Sequence, residues 1–417
     1  MKAVALENTS LHCRHCATPL RHTFLNLGSA PPSNAYLDLG DLSRPEKYYP
    51  LKAKVCTHCW LVQTEDQAKA DELFSTDYAY FSSISSGWLA HAASYAQFII
   101  QRLQLNPNSY VVEIASNDGY LLKNFVSAGI PCLGIEPTTS TAAAAEKLGI
   151  PVLREFFGKA LGKQLTANQQ QADLIVGNNV YAHVPDINDF TCGLKAALKP
   201  NGTITLEFPH LMCLIEHTQF DTVYHEHFSY LSLYTVQRIF KAAGLRIWDV
   251  DQLPTHGGSL RIYGCHAEDA RASTEAVATL LAEEAQRGLQ TLTPYQNFQA
   301  RADKVKDDFL SFLIEQKRVG KKVAAYGAAA KGNTLLNYAG VKPDLLPFVC
   351  DAAPVKQGKY MPGSHIPILP PKALAESNPD YILILPWNIA AEVRQQNVVL
   401  VEQGIKFVTA VPELSIS

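Results

Sequence analysis

Val111-Val112-Glu113-Ile114-Ala115-Ser116-Asn117-Asp118-Gly119-Tyr120 decides the reading of this chain. An apolar run meets an acid, a loop of small residues follows, and a helix is predicted to start near Tyr120. Ligands of sheets built this way bind beyond the carboxyl ends of the strands. Glu113 stands at such an end, where it can meet the cationic amino group of a methionine moiety. Ala115, Ser116, Asn117 and Gly119 are small or polar enough for a ligand to approach the backbone closely. Further on, Gly134-Ile135-Glu136-Pro137 ends a second strand in an acid. A carboxylate there can accept two ribose hydroxyls. Acids at two successive strand ends suit S-adenosylmethionine better than a dinucleotide. The G-x-G-x-x-G fingerprint is also missing, because Gly119 is the only glycine in the first loop.

Outward from this loop the pattern strand, loop, helix repeats from residue 110 to about 250. Strands are predicted at 110–114, 132–135, 174–176 and 203–206, and a helix at 141–148. The alternation predicts a parallel sheet with helices on both faces. A helix is expected before it at 87–105, with Trp88, Leu89, Tyr95, Phe98 and Ile99 as its apolar positions. Residues 274–318 read as mostly helical, interrupted at Pro294. A second α/β unit follows, with strands at 323–325, 346–349 and 381–385 and a small-residue loop at 327–332. The predicted division is a zinc unit over 1–70, a methyl-donor domain over 71–250 and a C-terminal α/β domain over 251–417.

The chain has 417 residues, 47% of them hydrophobic, and a formal net charge of -3. That length fits two or three domains, with a core large enough to need no disulfide scaffold. No basic stripe stands out, which argues against a nucleic-acid partner. No stretch has the length of a signal peptide or membrane span, so a cytoplasmic protein without a membrane partner is expected. Of nine cysteines, four form Cys13-x-x-Cys16 and Cys56-x-x-Cys59. Two such pairs complete a tetrahedral thiolate site suited to zinc. A four-sulfur shell leaves no open position, so the metal is predicted to be structural. His12, His15 and His58 read as surface neighbours of the cysteines.

Three polar segments are candidates for chemistry. Asp221-Thr222-Val223-Tyr224-His225-Glu226-His227-Phe228-Ser229-Tyr230 packs histidine, glutamate and tyrosine too densely for a solvated face. His and Glu can act as base and orienting partner, and Tyr can stabilise an oxyanion. A structural hydrogen-bond cluster is the alternative; an H-x-H metal pair lacks a third ligand. Asn178-Asn179-Val180-Tyr181-Ala182-His183 follows a strand at the same sheet edge. Tyr78-Ala79-Tyr80-Phe81-Ser82-Ser83 supplies aromatics and hydroxyls ahead of the sheet. In the C-terminal half, Lys331 and Asn333 sit where a helix begins after a strand, a position that favours phosphate. His256, Ser259 and Arg261 form a second glycine-containing polar segment, and Asp351 follows a strand.

Taken in order, the four-cysteine unit, E-I-A-S-N-D-G, N-N-V-Y-A-H, Y-H-E-H-F-S-Y, H-G-G-S-L-R and Y-G-A-A-A-K-G-N-T resemble the sugar C-methyltransferases of antibiotic deoxysugar pathways. The resemblance runs through essentially the whole chain, with Ala115 standing where glycine is expected. It implies zinc in the N-terminal unit, S-adenosylmethionine in the middle domain, and a nucleotide sugar between the middle and C-terminal domains. It implies methylation at C-3 of a dTDP-4-keto sugar. His227 would be the base, oriented by Glu226, with Tyr224, His183 and Tyr78 or Tyr80 in the same pocket. Glu113, Ala115, Ser116, Asn117, Gly119, Glu136, Asn178 and Asn179 would contact the cofactor. Ser82, Ser83, His256, Ser259, Arg261, Lys331, Asn333 and Asp351 would contact the substrate. Methyl transfer to oxygen or nitrogen, or a zinc-containing scaffold without activity, are the rival readings.

Overall fold

The computed structural model describes residues 11–65 and 81–417, and among them the backbone forms three sheets. The first sheet is antiparallel. It joins β1 (His22–Ala30), β2 (Tyr49–Val55) and β3 (Val62–Thr64) to β9 (Ser229–Tyr230), a two-residue strand supplied from far along the chain. Leu51, Ala53 and Val55 alternate along β2 and are buried, the period of two that one covered sheet face demands.

The second sheet contains β4 (Val111–Ile114), β5 (Cys132–Ile135), β6 (Val152–Leu153), β7 (Ala172–Asn178), β8 (Leu198–Pro209), β10 (Leu245–Leu253) and β11 (Ser259–His266). Its order is β10-β11-β8-β7-β4-β5-β6. The five strands from β6 to β8 are parallel, as their near-continuous apolar runs predict. The wholly parallel sheet expected from the sequence is not what forms. β11 runs antiparallel to both β8 and β10, because the chain returns directly as a hairpin, with Leu253 facing Ser259. β11 lies inside the span 251–417 yet completes this central sheet. The strand order reverses between β4 and β7, the switch point beyond which ligands of open α/β sheets bind.

The third sheet has β12 (Val323–Tyr326), β13 (Val349–Cys350), β14 (Ile368–Leu369), β15 (Tyr381–Ile384), β16 (Lys406–Thr409) and β17 (Ser415–Ile416), in the order β14-β13-β12-β15-β16-β17. Only β17 is antiparallel. The strand predicted at 346–349 shrinks to Val349–Cys350. Leu346 is fully buried without joining the ladder, so its apolar character reports burial and not strand pairing. The helix Ser86–Leu103 starts at the Ser85 cap, which accepts from Trp88 N–H. Its buried stripe is Ala92, Tyr95, Ala96 and Ile99, whereas the predicted apolar position Phe98 is exposed, one step off that spacing. The 274–318 region resolves into Glu275–Gln286, Thr293–Gln296 and Phe298–Arg318, with Pro294 in the first turn of the middle piece. Among the described residues no helix is long and apolar enough to cross a membrane.

Candidate active site

The sulfurs of Cys13, Cys16, Cys56 and Cys59 all lie within 4.8 Å of one another. Each CxxC closes as a knuckle, with Ala17 N–H bonded to the Cys13 carbonyl at 2.8 Å and Trp60 N–H to the Cys56 carbonyl at 2.9 Å. Ala17 and Trp60 take left-handed φ of 58° and 62°, which turns each knuckle toward the other pair. The donor set fits one tetrahedral zinc. His15 donates through Nδ1 to Asn188 Oδ1 at 2.8 Å, and His58 pairs with Arg238 at 3.1 Å, so neither is a ligand.

At the switch point the loop after β4 is bent through left-handed positions at Ala115 (φ 56°), Asn117 (φ 49°) and Gly119 (φ 80°). A Cβ on Gly119 would sit 2.5 Å from Ile150 Cδ1, so both conformation and space require glycine there. Ala115 holds a comparable conformation with a methyl group. The crevice edge carries buried polar atoms without hydrogen-bond partners, namely Ser116 Oγ, Asp118 Oδ1, and Oδ1 and Nδ2 of Asn178, beside the fully buried Glu113 carboxyl, whose hydrogen-bonding neighbour is the Tyr120 hydroxyl. Such atoms are costly unless a ligand pairs with them. Burial, then the Glu136 and Asp118 carboxylates, push the Glu113 carboxyl well above its usual range. A cation beside it would relieve that. Glu136 already accepts from Asn117 N–H and Thr138 N–H, each at 2.9 Å, which aims its carboxylate along the loop.

Ser82 and Ser83, expected to contact substrate, dock on this loop through their backbone. Their N–H groups donate to Asn117 Oδ1 at 2.9 Å and Asp118 Oδ2 at 3.1 Å. Tyr78 and Tyr80 lie outside the described residues. Asn179, expected beside the cofactor, turns through φ 54°, and its Nδ2 donates to His256 Nε2 at 3.0 Å.

The loop before β9 and the turn after β7 bring two histidines together. The His183 and His227 rings meet edge to face at 4.5 Å, and the Tyr224 ring lies 4.0 Å from His227. His227 Nδ1 donates to the Thr222 carbonyl at 2.9 Å, which leaves Nε2 as a proton acceptor. Burial, followed by the His183 charge, holds His227 well below the ordinary histidine value; burial lowers His183 to about 4. Both rings are therefore neutral at pH 7. The Thr222 carbonyl holds Nδ1 of His227, while the Glu226 carboxylate accepts from Asn34 Nδ2 at 2.8 and 3.0 Å. His225 faces the other way, toward the Tyr49 carbonyl at 3.2 Å, so the H-x-H spacing does not build a metal pair.

Between the central and C-terminal sheets, Lys331 and His256 both bear on His227 electrostatically. Lys331 Nζ donates to Asn388 Oδ1 at 2.6 Å and lies 4.6 Å over the Trp387 ring. Trp387 Nε1 donates to Asp221 at 2.7 Å, and burial raises that carboxyl to about 6. Gly257 permits this approach, since a Cβ there would meet Trp387 at 2.4 Å.

Four other expected substrate contacts are occupied internally. Asn333 is fully buried, and its Nδ2 donates to the Ser33 carbonyl at 2.6 Å. Asp351 caps the N–H groups of Ala328 and Ala353 at 2.7 and 2.8 Å. Arg261 pairs with buried Glu207 at 2.6 Å over the Tyr95 ring. Ser259 Oγ donates to the Thr255 carbonyl at 2.9 Å. Trp387, Asn388 and Asn34 escaped the sequence reading, and Asp221 entered it only as the first residue of the polar segment, with no role given.

A switch-point crevice with a fully buried acid, a neutral histidine pair and a four-thiolate knuckle together fit the class of zinc-containing methyltransferases. Comparison with known proteins agrees along the whole chain. Residues 13–74 match a zinc binding domain, 88–250 a methyltransferase domain, and 254–412 the C-methyltransferase C-terminal domain. The C-methyltransferase NovU of Streptomyces niveus is 33% identical over 96% of this chain and 95% of its own length. An uncharacterized methyltransferase of Mycobacterium leprae (strain TN) is 26% identical over 24% of this chain and 36% of its own. Magnesium protoporphyrin IX methyltransferase from Synechocystis PCC 6803, solved with bound SAM, covers 43% of this chain and 80% of itself, at 13% identity and a TM-score of 0.34, too slight a likeness to carry argument. The chain belongs to the C-methyltransferase family that includes NovU. It is an S-adenosylmethionine-dependent C-methyltransferase with a structural zinc site.

Proposed function

We propose that the chain methylates C-3 of a nucleotide-linked 4-keto-deoxysugar, with His227 as the base. The observation that carries this reading is the His183–His227 pair, both rings neutral, with Nδ1 of His227 committed to a carbonyl and Nε2 left to accept a proton. A ketone at C-4 acidifies the C-3 hydrogen, and a positioned neutral imidazole removes it without first losing a proton of its own. Tyr224, its ring tilted against His227 at 4.0 Å, would be the donor to the developing enolate oxygen, with His183 lining the same pocket. Lys331 and His256 are the side chains of the inter-sheet cleft suited to the nucleotide side of the substrate. Glu113, Ser116, Glu136 and Asn178 would hold S-adenosylmethionine, which supplies the electrophilic methyl group. Holding donor and acceptor together is the main task of the fold.

The test is incubation with S-adenosylmethionine and dTDP-4-keto-6-deoxyglucose or a related deoxy sugar. A product heavier by one methylene, with the new methyl on carbon by NMR, supports the reading. A methyl on oxygen or nitrogen, or no product from any keto sugar, overturns it.

A further inference from the structure

Arg14 lies between two of the four metal-binding cysteines. Its guanidinium donates to the Pro185 carbonyl at 2.8 Å and the Thr64 carbonyl at 3.0 Å, and lies over the Phe228 ring, 5.4 Å from the centroid. Pro185 closes the turn that carries His183, and Phe228 follows His227. One side chain therefore grips both loops whose histidines meet at 4.5 Å. The root of that side chain is itself fixed. Arg14 N–H donates to Gln63 Oε1 at 2.9 Å, and Gln63 Nε2 donates to the Cys13 sulfur at 3.3 Å. From Gln63, β3 runs on against the histidine loop: Thr64 N–H bonds the Phe228 carbonyl at 3.1 Å and Thr64 Oγ1 the His227 carbonyl at 3.2 Å. The two loops also join directly, Phe228 N–H to the Ala182 carbonyl at 2.8 Å.

We propose that Arg14 is a positioning residue: the zinc knuckle holds it, and its fork sets the spacing of His183 and His227. A planar guanidinium with donors in fixed directions can span two carbonyls and cover a ring at once, which a lysine ammonium cannot. The knuckle then does more than hold the N-terminal unit together: through Arg14 it sets the frame in which the two histidines are held. This rests on the reading of His227 as the base, because the alignment of that ring is what Arg14 would govern.

The experiment compares Arg14→Met and Arg14→Lys, with Thr64→Val as a milder change that removes one hydroxyl bonded to the His227 carbonyl. Zinc content, S-adenosylmethionine affinity, kcat and KM on the keto sugar, and histidine ring resonances by NMR are measured on the full-length protein. Zinc should stay at one per chain and cofactor affinity within about twofold. The His183 and His227 resonances should move in all three variants. In Arg14→Met kcat should fall at least roughly tenfold, KM changing less, because a misplacement of about 1 Å can cost on the order of a hundredfold. Arg14→Met with wild-type resonances and kcat would show that the side chain only packs, and would overturn the proposal. Joint loss of zinc and cofactor binding in both Arg14→Met and Thr64→Val would also overturn it, by reducing the contacts to general stability. The resonances need no substrate. A wild-type chain inert on keto sugars therefore overturns the proposed function, while the resonance result still decides whether Arg14 aligns the rings.

Discussion

The buried pair His210–Glu284 gives the central domain a defined pH dependence. His210, just after β8, meets Glu284 of the helix Glu275–Gln286 through Nε2 at 2.7 Å, and both side chains are essentially inaccessible. The same carboxylate accepts from Leu233 N–H at 2.6 Å and Tyr234 N–H at 2.9 Å, which satisfies the first turn of the helix Leu233–Ala242. Burial alone would depress His210. The bonds to Cys213 and Glu284 and the Glu284 charge outweigh it and push the imidazole up to about 9. A folded value above the ordinary 6.5 means that the stabilisation is fully present below about pH 6.5 and is lost as pH rises through about 9. At about 1.4 kcal/mol per pH unit, the span from 6.5 to about 9 corresponds to about 3 kcal/mol. For a domain of this size that is roughly a 6–12 °C fall in melting temperature. Scanning calorimetry from pH 6.5 to 9.5 reads it, with His210→Gln as the control whose midpoint should change much less over that window. A wild-type midpoint flat across the range, or an equal fall in His210→Gln, would refute the reasoning.

Other consequences follow from the crevice and its loop. Glu113→Gln removes the charge that faces the predicted cationic moiety, so S-adenosylmethionine affinity by calorimetric titration should weaken at least tenfold while the melting temperature holds or rises; unchanged affinity would place the cofactor elsewhere. Gly119→Ala should destabilise by about 1–3 kcal/mol, because it adds left-handed strain and a clash with Ile150, whereas Ala115→Gly should be neutral or stabilising by up to about 1 kcal/mol. Chemical denaturation reads both, and an equal cost for the two would count against the loop geometry. Asn34→Ala should lower kcat with little change in cofactor affinity, since it leaves the buried Glu226 carboxylate without its amide partner; equal turnover would make that contact incidental.

What the sequence disclosed was local. The acid-ended strands Val111–Ile114 and Cys132–Ile135 and the two CxxC knuckles carry their meaning within a few residues, so spacing and periodicity were enough. The partnerships were not local. Glu226 is held by Asn34 from a turn 192 residues earlier in the chain, and Arg261 is spent on Glu207 across a strand pair, neither visible as spacing. Glu207 itself was a missed signal: an acid inside the apolar run of β8 must be buried, and a buried acid requires a cation close by. The Lys331–Asn333 segment read as a phosphate loop because a helix does begin there, but Asn333 points inward to Ser33, a contact that only the packing of the N-terminal unit decides.

The central claim is that Nε2 of His227 takes the proton from C-3 of the sugar. Its most direct test is hydrogen exchange in deuterium oxide, with the keto sugar and S-adenosylhomocysteine in place of the methyl donor, followed by NMR. The account predicts that the wild-type protein exchanges the C-3 hydrogen and that His227→Asn, with zinc and cofactor binding intact, does not. Exchange at the wild-type rate in His227→Asn would contradict it.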